Sequence, residues 1–253
     1  MSLPVVCAAM AAMTSSRPRG LRPAAVLLAL GALAYTAWVV EVVVSTGLDP
    51  LRTYVSELAA QSEPLGGVFR TTDLVAGLLV LSGALWGLVH HRPRAPWSTA
   101  GWAGLVLFGA ATAVDSRLPL SCTPTADPEC AARETAGLVP ATHAAHAVSS
   151  SMAVCGALVG MVALTVAARR YGRWPVLARF GPWLAVAELA VTAWTLASVA
   201  AFQAGKGTWL LGLGQRSQVL LIAVWLAVFA YEVGRRRLYE VGQVLPYGVG
   251  RRG

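Results

Sequence analysis

The chain has 253 residues, of which 56% are hydrophobic and 13% charged, with a mean hydropathy of +0.61. So little polar surface cannot coat a soluble globule of that size, so the composition points to hydrocarbon as the main solvent. The net charge of +8 does not indicate nucleic acid, because the basic residues lie in short clusters between apolar segments and not along one face, which is the pattern of positively charged cytoplasmic loops. A single lysine against nineteen arginines, with abundant Ala, Gly and Val, suggests a GC-rich bacterial coding sequence.

Six apolar segments are read in chain order, at 24–46, 72–90, 98–114, 142–168, 183–202 and 211–233. A helix rises about 1.5 Å per residue, so roughly 20 residues cross a hydrocarbon core of about 30 Å. Backbone amides in lipid must bond internally, and runs this long without period-two alternation predict helices. The expected fold is all-α: a polytopic six-transmembrane-helix bundle, multi-pass in the plasma membrane, with the lipid bilayer as its partner. Residues 1–23 are read as a cytoplasmic tail and 234–253 as a second, loose one. Met13 precedes an Arg-rich stretch, so residues 1–12 are read as an overcalled start or a floppy tail.

The first segment follows Arg17, Arg19 and Arg22 and contains Ala32-Leu33-Ala34, as a cleaved signal does. Its apolar run continues through Val42–Val44, longer than a signal core, and predicts an uncleaved anchor. After it, Tyr54–Leu58 predicts a short interfacial helix, with Ser56 or Glu57 as candidates to reach a pocket. Arg70 and Asp73, at i and i+3, predict an ion pair at the mouth of the second helix. With six crossings both termini share a side. Fourteen basic residues fall on that side and six on the other, which places both termini in the cytoplasm.

The outer loop 116–140 carries Cys122 and Cys130. Their spacing suits no zinc knuckle, and a disulfide is expected there. Cys155 is read as a small helix-packing residue. The nine tryptophans, among them Trp97, Trp102, Trp174, Trp183 and Trp209, lie near membrane boundaries and predict an aromatic belt.

Ionisable groups in a membrane need a partner or a wet cavity. Glu41, Arg70, Asp73, Asp115, His143 and His146 are all predicted near the outer surface, with Glu188 deeper. At about 100° per residue, His143, His146 and Ser150 fall within about 60° of one another. On the fifth segment Glu188, Thr192, Thr195 and Gln203 fall within about 80°. Turned inward, the two stripes would surround a pocket open to the outside. Gly83 and Gly87, and Gly156 and Gly160, have the spacing that allows close helix approach.

Three functions remain open. The first is a binding or accessory protein whose pocket takes a lipid headgroup or small ligand. The second is a metal-dependent lipid or amide hydrolase. No cofactor is predicted under the first reading, whereas zinc enters under the second, held by His143, His146, Asp73 and Asp115 with an acid such as Asp73 as base. The third is a proton-coupled transporter using Glu41, Glu188 and the histidines.

The stretch YVSELAAQSEPLGGVFRTTDLVAG, then VDSRLPLSCTPTADPEC and THAAHA, resembles the bacterial membrane-protein family DUF998. The shared order is an S-E-L turn after the first helix, an Arg at the mouth of the second, an acidic Pro-containing loop after the third, and His opening the fourth. The likeness spans roughly residues 24–235. It implies a six-helix membrane protein and no established activity. A looser analogy is to seven-helix intramembrane amide hydrolases such as alkaline ceramidases, which join His, Asp and Ser around zinc.

Overall fold

The computed structural model describes residues 22–91 and 95–242. The N-terminal tail up to residue 21, with Cys7, Arg17 and Arg19, lies outside the described residues, as do Arg92, Arg94 and the chain beyond 242. Seven α-helices form among the described residues. They are α1 Arg22–Tyr35, α2 Gly66–His91, α3 Pro96–Asp115, α4 Pro128–Thr135, α5 Ala141–Arg170, α6 Pro175–Gln203 and α7 Leu211–Gly242. Two short 3₁₀ helices, Ala37–Val42 and Val55–Ala59, lie between α1 and α2. All helices but the short α4 supply a segment long and apolar enough to cross a membrane, α1 together with the 3₁₀ turn that follows it.

The six long helices form a ring in chain order. α1 packs on α2, α2 on α3, α3 on α5, α5 on α6, α6 on α7, and α7 back on α1. Large apolar side chains such as Leu33, Val89, Val148, Trp183 and Leu196 are exposed on the outside of the ring. Lipid tails are as apolar as these side chains, so burial from water does not drive helix against helix; close packing does. Glycine makes that packing possible. A Cβ at Gly77 of α2 would sit 2.5 Å from the Ala113 nitrogen of α3, and one at Gly156 of α5 would sit 2.5 Å from the Phe108 nitrogen of α3. Gly83 and Gly87 lie at close contacts as well, against α1 and against the Trp102 ring.

Helix boundaries depart from the hydropathy reading where local chemistry outweighs it. The first span leaves the α form at Tyr35 and continues as 3₁₀, with Val39 N donating to Thr36 O at 3.0 Å and Val43 N to Val40 O at 3.0 Å. The β-branched residues Val39, Val40 and Val42–Val44 favour that loss of α geometry. α2 starts six residues earlier than expected, at Gly66. A Cβ at Gly66 would lie 2.1 Å from the Ala60 carbonyl oxygen, so the bare backbone lets the preceding turn fold onto the helix start. α6 begins at Pro175 and carries Pro182 inside it. The helix therefore starts eight residues before the apolar segment read from sequence, running through the Arg179 turn and Pro182. α7 continues to Gly242, so the expected loose tail is helical over its first residues.

One end of the ring is filled by aromatic rings. Phe229 of α7 meets Trp102 at 5.1 Å, Trp174 at 5.3 Å and Trp225 at 5.5 Å between centroids. Trp102 and Trp174 are therefore core residues and not part of an interfacial belt, whereas Trp183 and Trp209 are exposed. Trp174 holds a left-handed backbone (φ 58°) at the start of α6, a conformation uncommon for a bulky residue. Glu232 is buried there, and its Oε1 accepts from Val176 N at 3.2 Å, placing a carboxylate on the amino end of α6. Cys155 is exposed and does not pack between helices.

Candidate functional site

The other end of the ring is polar. The loop between α3 and α5 lies across it, closed by the Cys122–Cys130 disulfide and containing α4, whose first turn Asp127 caps through Glu129 N at 2.9 Å. Two side chains strap this loop down. Glu57, fully buried in the second 3₁₀ turn, accepts from Thr125 N at 2.7 Å and Thr125 Oγ1 at 2.5 Å. His143 accepts from Ser121 N at 3.1 Å through Nδ1. An imidazole nitrogen that accepts an amide proton is unprotonated, which leaves Nε2, 3.6 Å from Glu134 Oε1, as the ring's donor.

At this end of the ring lies a cavity of about 150 Å³. Tyr35 and Trp38 enter it from the end of the first span, Ser56 from the 3₁₀ turn, and Phe69 and Asp73 from α2. Thr112 and Asp115 come from α3, His146 and Ser150 from α5, and Gln215 and Gln218 from α7. Six chain segments remote in sequence thus meet because the ring closes and their ends lie at one level. Asp115 is the hub of the polar contacts. Its Oδ1 lies 3.0 Å from His146 Nδ1 and also accepts from Ser149 Oγ. The Ser149 hydroxyl is thereby turned to the carboxylate and not to the imidazole, so the three groups are not ordered as a serine–histidine relay.

The sequence-predicted residues divide. Asp73, Asp115, His146 and Ser150 are brought to the cavity. Ser56 lines it too, while its neighbour Glu57 turns to the loop. His143 is one helical turn from His146 yet serves the strap. Glu41 pairs with Arg216 in a buried, bidentate contact, Nε to Oε1 at 2.5 Å and Nη2 to Oε2 at 2.6 Å. Arg216 also donates from Nη1 to Thr53 O at 2.8 Å and Gly212 O at 3.2 Å. Arg70 donates to the carbonyls of Ala59 at 2.7 Å and Ala60 at 3.2 Å, in place of the expected pair with Asp73. Glu188 is fully buried beside the cavity wall, where Thr192 Oγ1 lies 3.4 Å from its Oε1 and itself accepts from Gln218 Nε2 at 2.8 Å. Gln203 is exposed at the end of α6 and joins none of this.

The four-residue metal set does not close. Among the described residues no three or more His, Cys, Asp or Glu side chains are placed to hold a metal ion. His143 and His146 share a helix face, but their ring nitrogens engage different neighbours. Tyr35, Trp38 and Phe69 were not expected at this site, and Gln215, Arg216 and Gln218, legible as polar residues opening the sixth segment near the outer surface, were not assigned to it. Arg216 had a signal: an arginine at the opening of an apolar segment and an acid near the end of another, at the same predicted depth, are natural partners. Gln215 accepts from Val55 N at 2.9 Å and ties α7 to the turn. Tyr35, Trp38 and Phe69 carried no signal, since an aromatic in an apolar helix reads as lipid-facing or core alike.

No curated protein and no solved structure matches the chain. The order of the S-E-L turn, the arginine opening α2, the acidic loop and the histidines opening α5 is borne by elements that frame a single end of the bundle, and the family model described as "Protein of unknown function (DUF998)" matches residues 28–232: the chain belongs to the DUF998 family of multi-pass membrane proteins.

Proposed function

We propose that this chain is a cell-membrane binding protein whose cavity takes a lipid headgroup or small ligand from the extracytoplasmic side, with both termini in the cytoplasm. The observation that carries this reading is the meeting of Asp73, Asp115, His146 and Ser150 at one cavity. Polar groups at membrane depth mark binding sites or pathways, because each must be compensated. The side is argued from two independent facts. Disulfides persist in oxidising compartments, and the Cys122–Cys130 bridge closes a loop at the same end of the bundle as the cavity. The excess of basic residues falls on the opposite side.

The test is thiol accessibility in intact cells. Cys7 and Cys155 are replaced by Ser, the disulfide is kept, and Ser56→Cys or Ser150→Cys is introduced at the cavity. A membrane-impermeant maleimide is expected to label the new thiol from outside, without permeabilisation. Labelling that appears only after the cells are opened would place the cavity on the other side and overturn the proposal.

A further inference from the structure

The cavity has an excess of acid. Asp73 and Asp115 line it from adjacent helices, and no lysine or arginine does. The two arginines that enter this end of the bundle are already engaged, Arg216 by Glu41 and two carbonyls, Arg70 by the carbonyls of Ala59 and Ala60. His146 and Ser149 are taken by Asp115. Among the described residues no hydrogen bond or ion pair reaches the Asp73 carboxyl. A carboxyl at membrane depth without a hydrogen-bonded partner either keeps its proton or pairs with a cation, and a cationic ligand favours the second state.

Three aromatic side chains, Tyr35, Trp38 and Phe69, stand in the same lining. Aromatic faces attract ammonium groups through the ring quadrupole, Trp most strongly. The volume of about 150 Å³ matches that of an engineered void large enough for benzene, room for an ammonium and the few carbons attached to it. Resting on the binding reading above, we infer that the cavity recognises an ammonium group, primary or quaternary, on a small amino alcohol or on its phosphate ester at the head of a lipid. Asp73 pairs with the charge and the aromatic residues enclose it.

The experiment uses the full chain in detergent and in nanodiscs. Choline and ethanolamine are titrated against tryptophan fluorescence, to which Trp38 in the lining contributes, and against thermal unfolding. Dimethylbutanol, the neutral carbon isostere of choline, is the control on the unmodified protein. The expected result is saturable binding of an amine and none of the alcohol, with Asp73→Asn weakening the amine by about tenfold or more. Asp49→Asn, at an exposed position outside the cavity, leaves binding unchanged. Native mass spectrometry from nanodiscs separates the two sources: retention of phosphatidylethanolamine over phosphatidylglycerol assigns a lipid headgroup, and amine binding without lipid retention assigns a free amine. Equal binding of alcohol and amine, or retention of phosphatidylglycerol, overturns the ammonium assignment while leaving a binding cavity. Binding of neither small molecule, with no lipid retained, overturns both. The comparison of amine with alcohol stands even if Asp73→Asn does not fold.

Discussion

The two ends of this helical ring are held by different physics. At one, Trp102, Trp174, Trp225 and Phe229 fill the space between helices, with glycines such as Gly87 making room for the rings. At the other, Glu41–Arg216, Glu57–Thr125 and His143–Ser121 hold loops and helix ends by directed polar contacts around a space left open. Packing tolerates error by spreading it over many weak contacts. A polar network concentrates it, because one deleted partner leaves another group buried and unanswered. The end that is empty enough to bind is therefore also the end where single substitutions should matter most.

The strongest way to break this contrast is at the Glu41–Arg216 pair, whose side chains are 2% and 6% exposed. Arg216→Met strands a buried carboxylate and is expected to destabilise the fold by about 3–5 kcal/mol. Adding Glu41→Leu should restore most of that loss, since replacing both partners of a buried pair by apolar groups is often neutral. Unfolding in mixed detergent micelles measures both variants. A double variant as unstable as the single would mean that the pair holds the fold by something other than compensated charge.

At the packed end the perturbation should be smaller. A Cβ at Gly87 would sit 2.2 Å from the Trp102 ring. Gly87→Ala therefore forces a rigid indole to move and is expected to lower stability by about 1–3 kcal/mol. Near-ultraviolet circular dichroism should report the displaced tryptophan. An unchanged spectrum and unchanged stability would show that the aromatic end has slack.

The mildest effect is a slope. Burial against the loop pushes the Glu57 carboxyl up from 4.5 to about 7, outweighing its bonds from Thr125, which act the other way. Between those values the folded chain keeps a proton that the unfolded chain has released. Stability consequently falls as pH rises through that window, by at most about 1.4 kcal/mol per pH unit. Glu57→Gln, uncharged throughout, should flatten this dependence when denaturation is followed from about pH 5 to 8. A slope identical in the variant would assign the pH response to another group.

Hydropathy alone determined that six segments cross a membrane, because a 30 Å core imposes its length on any helix that spans it. The cysteine pair in one short loop was legible for a similar reason: two cysteines in a loop on the predicted outer side have one another as the available partner. The 3.6-residue period placed His146 and Ser150 on one helix face, and both line the cavity. It could not say that His143, on that same face, would be turned to Ser121 by a loop folding over it. Nor could spacing say that Arg70 would turn from Asp73 to the carbonyls of Ala59 and Ala60, or that Glu41 would meet Arg216. Periodicity fixes directions around one helix axis; which neighbour stands in that direction depends on how the ring closes. Only the tertiary structure brought α7 beside the first span and the second 3₁₀ turn, and with that closure it decided which charges cancel and which acid is left facing the cavity.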